Sequence, residues 1–324
     1  MTMQQVSDLA SLSYLKRYYA PASTGNFSVG FDLLGAAFEP LNGEVFGDVL
    51  DIVAESEELS LDIVGRYVHQ LPQTSNDNLV LSCFYAFEQK LGRRLPRLSL
   101  RLHKNLPVGS GLGSSACSIV VACYAFNEYF GQPLSAHELL QLMAQAEGGV
   151  SGSVHYDNVA PSYLGGLQLM LPDSAKLCRA LPWFEHWRVV LCYPGTVLST
   201  KAARAVLPQQ LSLAQSIAFA GILSRFVSAM YVADETEAVA AIRDLIAEPA
   251  RMPLIPELAA LRAALTEQGV LHLGISGAGP TLFALCSNDA QAQLAAEYLS
   301  RHYAKNQDAT TQICRLSAQG ARAL

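Results

Sequence analysis

Residues 105–118 read "NLPVGSGLGSSACS", with glycines at alternate positions (Gly109, Gly111, Gly113), then Ser114 and Ser115, then an apolar helical run. Glycine lets a backbone adopt positive φ and come close to an anion. A helix N-terminus offers unpaired N–H groups and the positive end of its dipole. Together these make Pro107, Val108, Gly109, Ser110, Gly111, Leu112, Gly113, Ser114 and Ser115 a candidate phosphate cradle. A plain tight connection uses the same residue types, and the glycines alone weigh the two readings evenly. Two familiar phosphate loops are excluded. The Walker pattern needs a lysine after its last glycine, where this chain has Ser114. The dinucleotide fingerprint needs its third glycine one place later and a carboxylate at a strand end about twenty residues on.

Other chemically capable residues lie far apart in the chain. "APASTGNFSVGFDLLG" (20–35) sets Asn26 and Asp32 among small and apolar neighbours, which by itself describes a turn with an Asx cap. "AEGGVSGSVHYDNVAPSYLGG" (146–166) carries Glu147, His155, Asp157 and Asn158. A lone histidine is more often structural than catalytic, and a carboxylate such as Glu147 near a helix end is more often solvated. Arg204 in "STKAAR" and Arg251 in "EPARMPLIP" could each grip a carboxylate as a guanidinium fork, although most arginines are surface residues. "GISGAGPTLFALC" (274–286), with Gly277, reads alone as a strand–turn–strand connection.

Taken as a set, these segments resemble one superfamily. "PVGSGLGSSA" is similar to the P-x-x-x-G-L-G-S-S-A loop of the GHMP kinases, which wraps the triphosphate of ATP. The 20–35 stretch resembles the P-A-S-x-x-N-x-x-x-G-F-D-x-L-G segment of homoserine kinases, departing from its commonest form at Gly25, Phe27 and Ser28. Residues 151–161 match their S-G-x-x-H-x-D-N-V-A-P, and 274–286 resembles their C-terminal glycine loop. The four segments follow the family order from residue 20 to 286, and the likeness is strongest to homoserine kinases of the gamma-proteobacterial type.

The resemblance implies an ATP- and Mg²⁺-dependent kinase acting on L-homoserine, with the loop 107–115 and Gly277 at the phosphates. It makes Ser115 and Glu147 the metal pair. It assigns the amino acid to Asn26, Asp32, His155, Asp157, Arg204 and Arg251. Mevalonate kinase-like members use an aspartate to take the alcohol proton; at the corresponding position this chain has Asn158, which is no useful base. Asp157 is then the candidate base, and the alternative is late proton loss to a phosphate oxygen or water. Another alcohol as acceptor, or a non-catalytic metabolite-binding role on the same scaffold, stays open at this point. The family also leaves a homodimer open.

These residues need elements to hold them. Alternating patterns predict strands at 47–54, 60–64 and in "RLSLRLHKN", the last entering the glycine loop. Helical spacing runs over 77–92, stopping at Gly92, and over 114–130. A Ser135/Glu138 capping box starts a helix expected to end at Gly148-Gly149. Strands follow in "GGLQLML", "WRVVLCYPG", "VLHLGIS", "TLFALC" and "TTQICRL". Helices are expected at about 200–207, 214–232, 235–247, 256–268 and 289–304. This unalternating mixture reads as α+β. The resemblance refines it to a two-domain GHMP kinase fold, ribosomal protein S5 domain 2-like at the N-terminus and ferredoxin-like at the C-terminus, with ATP between them. Looser composition with prolines at 172 and 182 puts the division at 1–170 and 171–324.

The 324 residues are 51% hydrophobic and 15% charged, which describes a globular chain. A net charge of −6 and no basic block argue against nucleic acid as a partner. The apolar stretch "LAQSIAFAGILSRFVSAMYVA" has Arg225 near its middle and reads as a buried helix rather than a membrane span. Seven scattered cysteines without C-x-x-C, and an N-terminus without a signal pattern, read as a cytoplasmic protein with reduced thiols. The first ten residues have no assigned role.

Overall fold

The computed structural model describes residues 13–71, 78–152 and 154–324, so the first ten residues lie outside it. Strands β1 (Lys16–Pro21), β2 (Ser23–Gly25), β3 (Leu34–Pro40), β4 (Gly47–Ser56) and β5 (Ser60–Val64) precede helix α1 (Leu79–Leu91). Then come β6 (Arg97–His103), α2 (Ser114–Tyr129), α3 (Ala136–Ser151), α4 (Val159–Leu164), β7 (Leu167–Met170), β8 (Cys178–Leu181) and β9 (Arg188–Tyr193). The chain continues through α5 (Thr200–Ala205), α6 (Leu213–Val232), α7 (Glu235–Ala241), α8 (Ala247–Arg251) and α9 (Leu258–Glu267). It closes with β10 (His272–Ile275), β11 (Leu282–Cys286), α10 (Asp289–His302), β12 (Thr310–Leu316) and β13 (Arg322–Ala323).

Two sheets result, one in the order β13-β1-β4-β6-β5 and one in the order β10-β11-β9-β12-β3-β7-β8, with β2 added against β3. Only β5 and β6 run parallel among the described pairs. In the second sheet, β9, β10, β11 and β12 are linked by helices in β-α-β-β-α-β sequence, the ferredoxin-like pattern. Because β3 and β7 extend that sheet, strands from both sides of residue 170 share it.

Helix α2 lies at the centre of the first half. It is apolar on every side and buried from Ala116 to Val121, as an all-round hydrophobic helix must be. It packs on β1 and β4 and against α1, α3 and α4, so its N-terminus is held rigidly under the glycine loop.

Three expectations are corrected. Helix α3 does start at the Ser135/Glu138 capping box, but it runs through Gly148-Gly149 to Ser151. Its stop is Gly152, left-handed at φ 88°, whose N–H donates to the Gly148 carbonyl. Gly148 is tolerated in the helix because Val154 packs where a side chain would begin, 3.0 Å from an added Cβ. Glu147 therefore sits one turn inside the helix. The helix expected over 235–247 breaks after Ala241, and Asp244 holds the turn into a new short one by accepting from the N–H groups of Ile246 and Ala247. Helix α6 is long and apolar enough to cross a membrane by length and composition, yet it is only partly buried here. Ile222, Phe226, Ala229 and Met230 enter the core, while Leu213 is 78% and Ile217 63% exposed.

Candidate active site

Strand β6 delivers the chain into the loop, and the left-handed Gly113 (φ 63°) caps α2. Gly111 is also left-handed, at φ 83°. An added Cβ on Gly111 would lie 2.3 Å from the Ser276 carbonyl oxygen, and one on Gly113 would lie 2.3 Å from Ser23 Oγ. Side chains at these two positions would block the turn from both sides. The turn after β10 ties the loop down: Ser276 Oγ donates to the Gly111 carbonyl (2.7 Å) and Thr281 N–H to the Ser110 carbonyl (3.0 Å). A cavity of about 560 Å³ opens above, lined by Val108, Gly109, Ser110, Gly111 and Gly113. Ser114, Ser115, Glu147, Asn158 and Gly277 complete its polar wall. Pro107 and Leu112 are not part of that wall; both are buried beneath the loop, where they shape it.

Under the loop lies a polar cluster that no sequence motif announces. Lys104 is 2% exposed and donates to Asp48 Oδ2 (2.5 Å), the Ser114 carbonyl (2.9 Å) and Ser118 Oγ (2.9 Å). Asp48 Oδ1 accepts from the N–H groups of Asn105 and Leu106. A buried charge is tolerable when paired and fully hydrogen-bonded, and this one fixes the first turn of α2. The only sequence signal was a lysine beside the loop; its partner Asp48 is remote in the chain.

The candidate metal pair meets as well. Ser115 Oγ donates to Glu147 Oε1 at 2.8 Å. Burial pushes the Glu147 carboxyl up to about 7, against the Ser115 bond and the Lys104 charge. One hydroxyl and one carboxylate beside a phosphate cradle are an oxygen set that fits Mg²⁺, which keeps several waters of its own.

The candidate acceptor side is built differently. Asn26, Phe27, Ser28 and Asp32 all have positive φ (68°, 42°, 55° and 55°), an unusual density for non-glycine residues. Asn26 holds this turn: its Oδ1 accepts from Asp32 N–H (2.8 Å), and its Nδ2 donates to the Gly277 carbonyl (3.2 Å). Buried Phe27 stacks on Phe283 at 5.1 Å between ring centres. The turn thereby aims Asp32 at Arg204 of α5, whose Nη2 donates to both carboxylate oxygens (3.1 and 2.7 Å). Arg204 Nη1 lies 2.6 Å from His155 Nε2. Arginine can only donate, so Nε2 is the acceptor and the ring proton sits on Nδ1, which is 3.5 Å from Asp32 Oδ2. Burial lowers the His155 pKa, consistent with a neutral ring.

Ligand atoms of Asp32, His155 and Asp157 lie within 4.8 Å of one another. Burial, then the charges of Asp32 and Glu147, push the Asp157 carboxyl up to about 7. Its Oδ2 would be 2.2 Å from a Cβ on Gly25, so Asp157 packs directly against the bare backbone of Gly25 in this chain. Asn158 bridges the two regions: it accepts from Ser23 Oγ (3.2 Å) and lines the phosphate cavity. Arg251 is only 4% exposed and donates to the carbonyls of Ala203 (3.1 Å) and Gly277 (2.9 Å). It thus braces the segment that carries Arg204 and joins Asn26 on Gly277, rather than presenting an open fork. Burial lowers its pKa.

Comparison with known proteins agrees with this geometry. Residues 78–166 match the GHMP kinases N terminal domain, and residues 228–305 match the GHMP kinases C terminal domain. A homoserine kinase from Cytophaga hutchinsonii superposes with a TM-score of 0.82 at 30% identity, covering 95% of this chain and 97% of its own. A candidate homoserine kinase from Listeria monocytogenes is similar at 24% identity and a TM-score of 0.72, over 95% of this chain and 98% of its own. Mevalonate kinase of L. major, solved with R-mevalonate, shares the fold at 16% identity and a TM-score of 0.66, over 93% of this chain and 96% of its own. A glycine loop clamped on a buried helix, matches in both halves of the chain and this likeness along nearly its whole length have one explanation: the protein belongs to the GHMP kinase family of ATP-dependent small-molecule kinases.

Proposed function

We propose that the protein is a homoserine kinase, which transfers the γ-phosphate of ATP to the side-chain hydroxyl of L-homoserine and yields O-phospho-L-homoserine for threonine biosynthesis. The observation that carries this reading is the cluster of Asp32, His155, Asp157 and Arg204 beside the phosphate cavity. Mixed charge of this kind suits a zwitterionic amino acid better than a simple alcohol or a lone carboxylate. The likeness to the Cytophaga hutchinsonii homoserine kinase supports it. Residues 1–170 would carry the nucleotide cradle and 171–324 the arginines and the closing turn, a division of labour that is also part of the proposal.

In this reading the substrate carboxylate takes over the guanidinium of Arg204, and the ammonium rests on Asp32, released from that same guanidinium. Arg251 and Asn26 set the site through Gly277. The backbone of 108–115 holds the triphosphate; Ser115 and Glu147 would hold Mg²⁺, which would supply neutralisation of charge on the phosphate oxygens. The acceptor oxygen attacks the γ-phosphorus. The bond to the bridging oxygen breaks, and its electron pair leaves with ADP. The hydroxyl proton passes to Asp157, whose pKa of about 7 is matched to neutral operation. Asn158 positions the junction without taking a proton.

A coupled ADP-release assay with L-homoserine, L-threonine, mevalonate and no acceptor tests the assignment. Rapid magnesium-dependent turnover with L-homoserine alone is the expected result. Equal or faster turnover with mevalonate would reject homoserine as the acceptor while leaving the kinase family intact.

A further inference from the structure

The nucleotide cavity contains three charged side chains among the described residues: Lys104, Glu147 and Lys201. Lys104 spends its ammonium on Asp48, Ser114 and Ser118, below the loop. Glu147 is acidic. Lys201 is therefore the one cation on this wall whose ammonium has no hydrogen-bond or ion-pair partner among the described residues. The chain delivers it there by a specific clamp. Leu198 N–H donates to the Gly109 carbonyl (3.0 Å), and Val197 fills the space a side chain on Gly109 would need, 2.6 Å from an added Cβ. Ser199 then caps α5. Lys201 consequently overlooks the phosphate loop, and Arg204, one turn further along the same helix, faces the acceptor cluster.

We propose that Lys201 is a catalytic residue of the phosphoryl transfer, its ammonium binding the γ-phosphate oxygens over the loop. This rests on the kinase reading of the cavity and adds a contact to it. A magnesium-bound triphosphate is still anionic, and backbone N–H groups contribute no net charge, so a free ammonium at the rim meets an unmet electrostatic need. Lys201 forms no covalent bond and moves no proton. Its long exposed stem lets it follow the phosphoryl group from ATP toward the acceptor.

The test uses the full chain, without acceptor, titrated by calorimetry with the magnesium complexes of a non-hydrolysable ATP analogue and of ADP. Lys201→Gln should weaken the ATP analogue roughly tenfold to a hundredfold, the cost of one charge-assisted contact, and change ADP affinity less than about twofold. Lys201→Arg should retain most of the discrimination between the two nucleotides. Equal weakening for both nucleotides, or no change for either, overturns the γ-phosphate assignment while wild-type binding keeps the kinase reading. If the wild type binds neither nucleotide, the kinase reading falls and this proposal falls with it.

Discussion

The candidate nucleotide cradle and the candidate acceptor site adjoin each other and are made of different material. The cradle is backbone: one contiguous loop, with two left-handed glycines pressed against Ser276 and Ser23 and supported from below by Lys104. The acceptor site is side chain: Asp32, His155, Asp157 and Arg204 converge from three separate segments, and one of these is a strained left-handed turn held by Asn26. A backbone site tolerates little added volume, and its loop N–H contacts do not themselves depend on side-chain identity. A side-chain site has the opposite sensitivities, and this is how specificity can vary while the phosphate chemistry stays fixed.

The comparison breaks most visibly at the base of the cradle. Lys104→Met would leave Asp48 buried without its cation, which should cost about 3–5 kcal/mol of folding stability. Denaturant unfolding of the variant measures this directly; a loss no greater than that of an ordinary surface substitution would mean that the pair does not anchor the loop. Next comes the loop itself. Gly111→Ala forces a methyl group against the Ser276 carbonyl at a position with φ 83°, so the turn must shift. Displacement of the phosphates by about an ångström should lower kcat about a hundredfold or more. The KM for homoserine, measured at saturating ATP, should move far less.

Arg204→Ala reverses the pattern. It removes the group that bridges Asp32 and His155, so the KM for homoserine should rise roughly tenfold to a hundredfold, with the KM for ATP nearly constant. Arg251 sharpens the contrast because it serves both regions. Through Gly277, which also lines the nucleotide cavity, Arg251→Ala should weaken both substrates, each less than the most severe single-site change.

The same contrast explains what could be read from sequence. The cradle is contiguous, so its residue types appear in order and suggest a phosphate site; even there, Pro107 and Leu112 are buried and do not line the cavity. The candidate acceptor residues could be singled out only through family resemblance, because nothing local says that Arg204 will meet Asp32, 172 positions earlier. The Lys104–Asp48 pair was not legible at all. A buried lysine looks like any other until its carboxylate partner, 56 residues away, is placed on the neighbouring strand. The helix ends failed for a similar reason. Gly148-Gly149 has the composition of a stop, but α3 runs through both, with Val154 packed where a side chain on Gly148 would begin.

The smallest expected effect is the pH dependence that Asp157 sets, and it separates chemistry from binding. With its carboxyl held up to about 7, the ionised fraction rises about tenfold between pH 6 and pH 8, so a base at this position should raise kcat by a similar factor across that window. Stability should move the other way. A carboxyl whose folded pKa lies above its unfolded value of about 4 stabilises the fold fully at low pH, and this contribution is lost as pH rises through about 7. Unfolding of the ligand-free protein should therefore become easier from pH 5 to pH 8. Asp157→Asn should flatten that slope in part, since Glu147, also raised to about 7, keeps its share. In the same variant kcat should fall to a low, pH-independent level while homoserine affinity persists. If affinity is lost and the remaining kcat keeps its rise with pH, Asp157 binds the ammonium and the proton leaves by way of a phosphate oxygen.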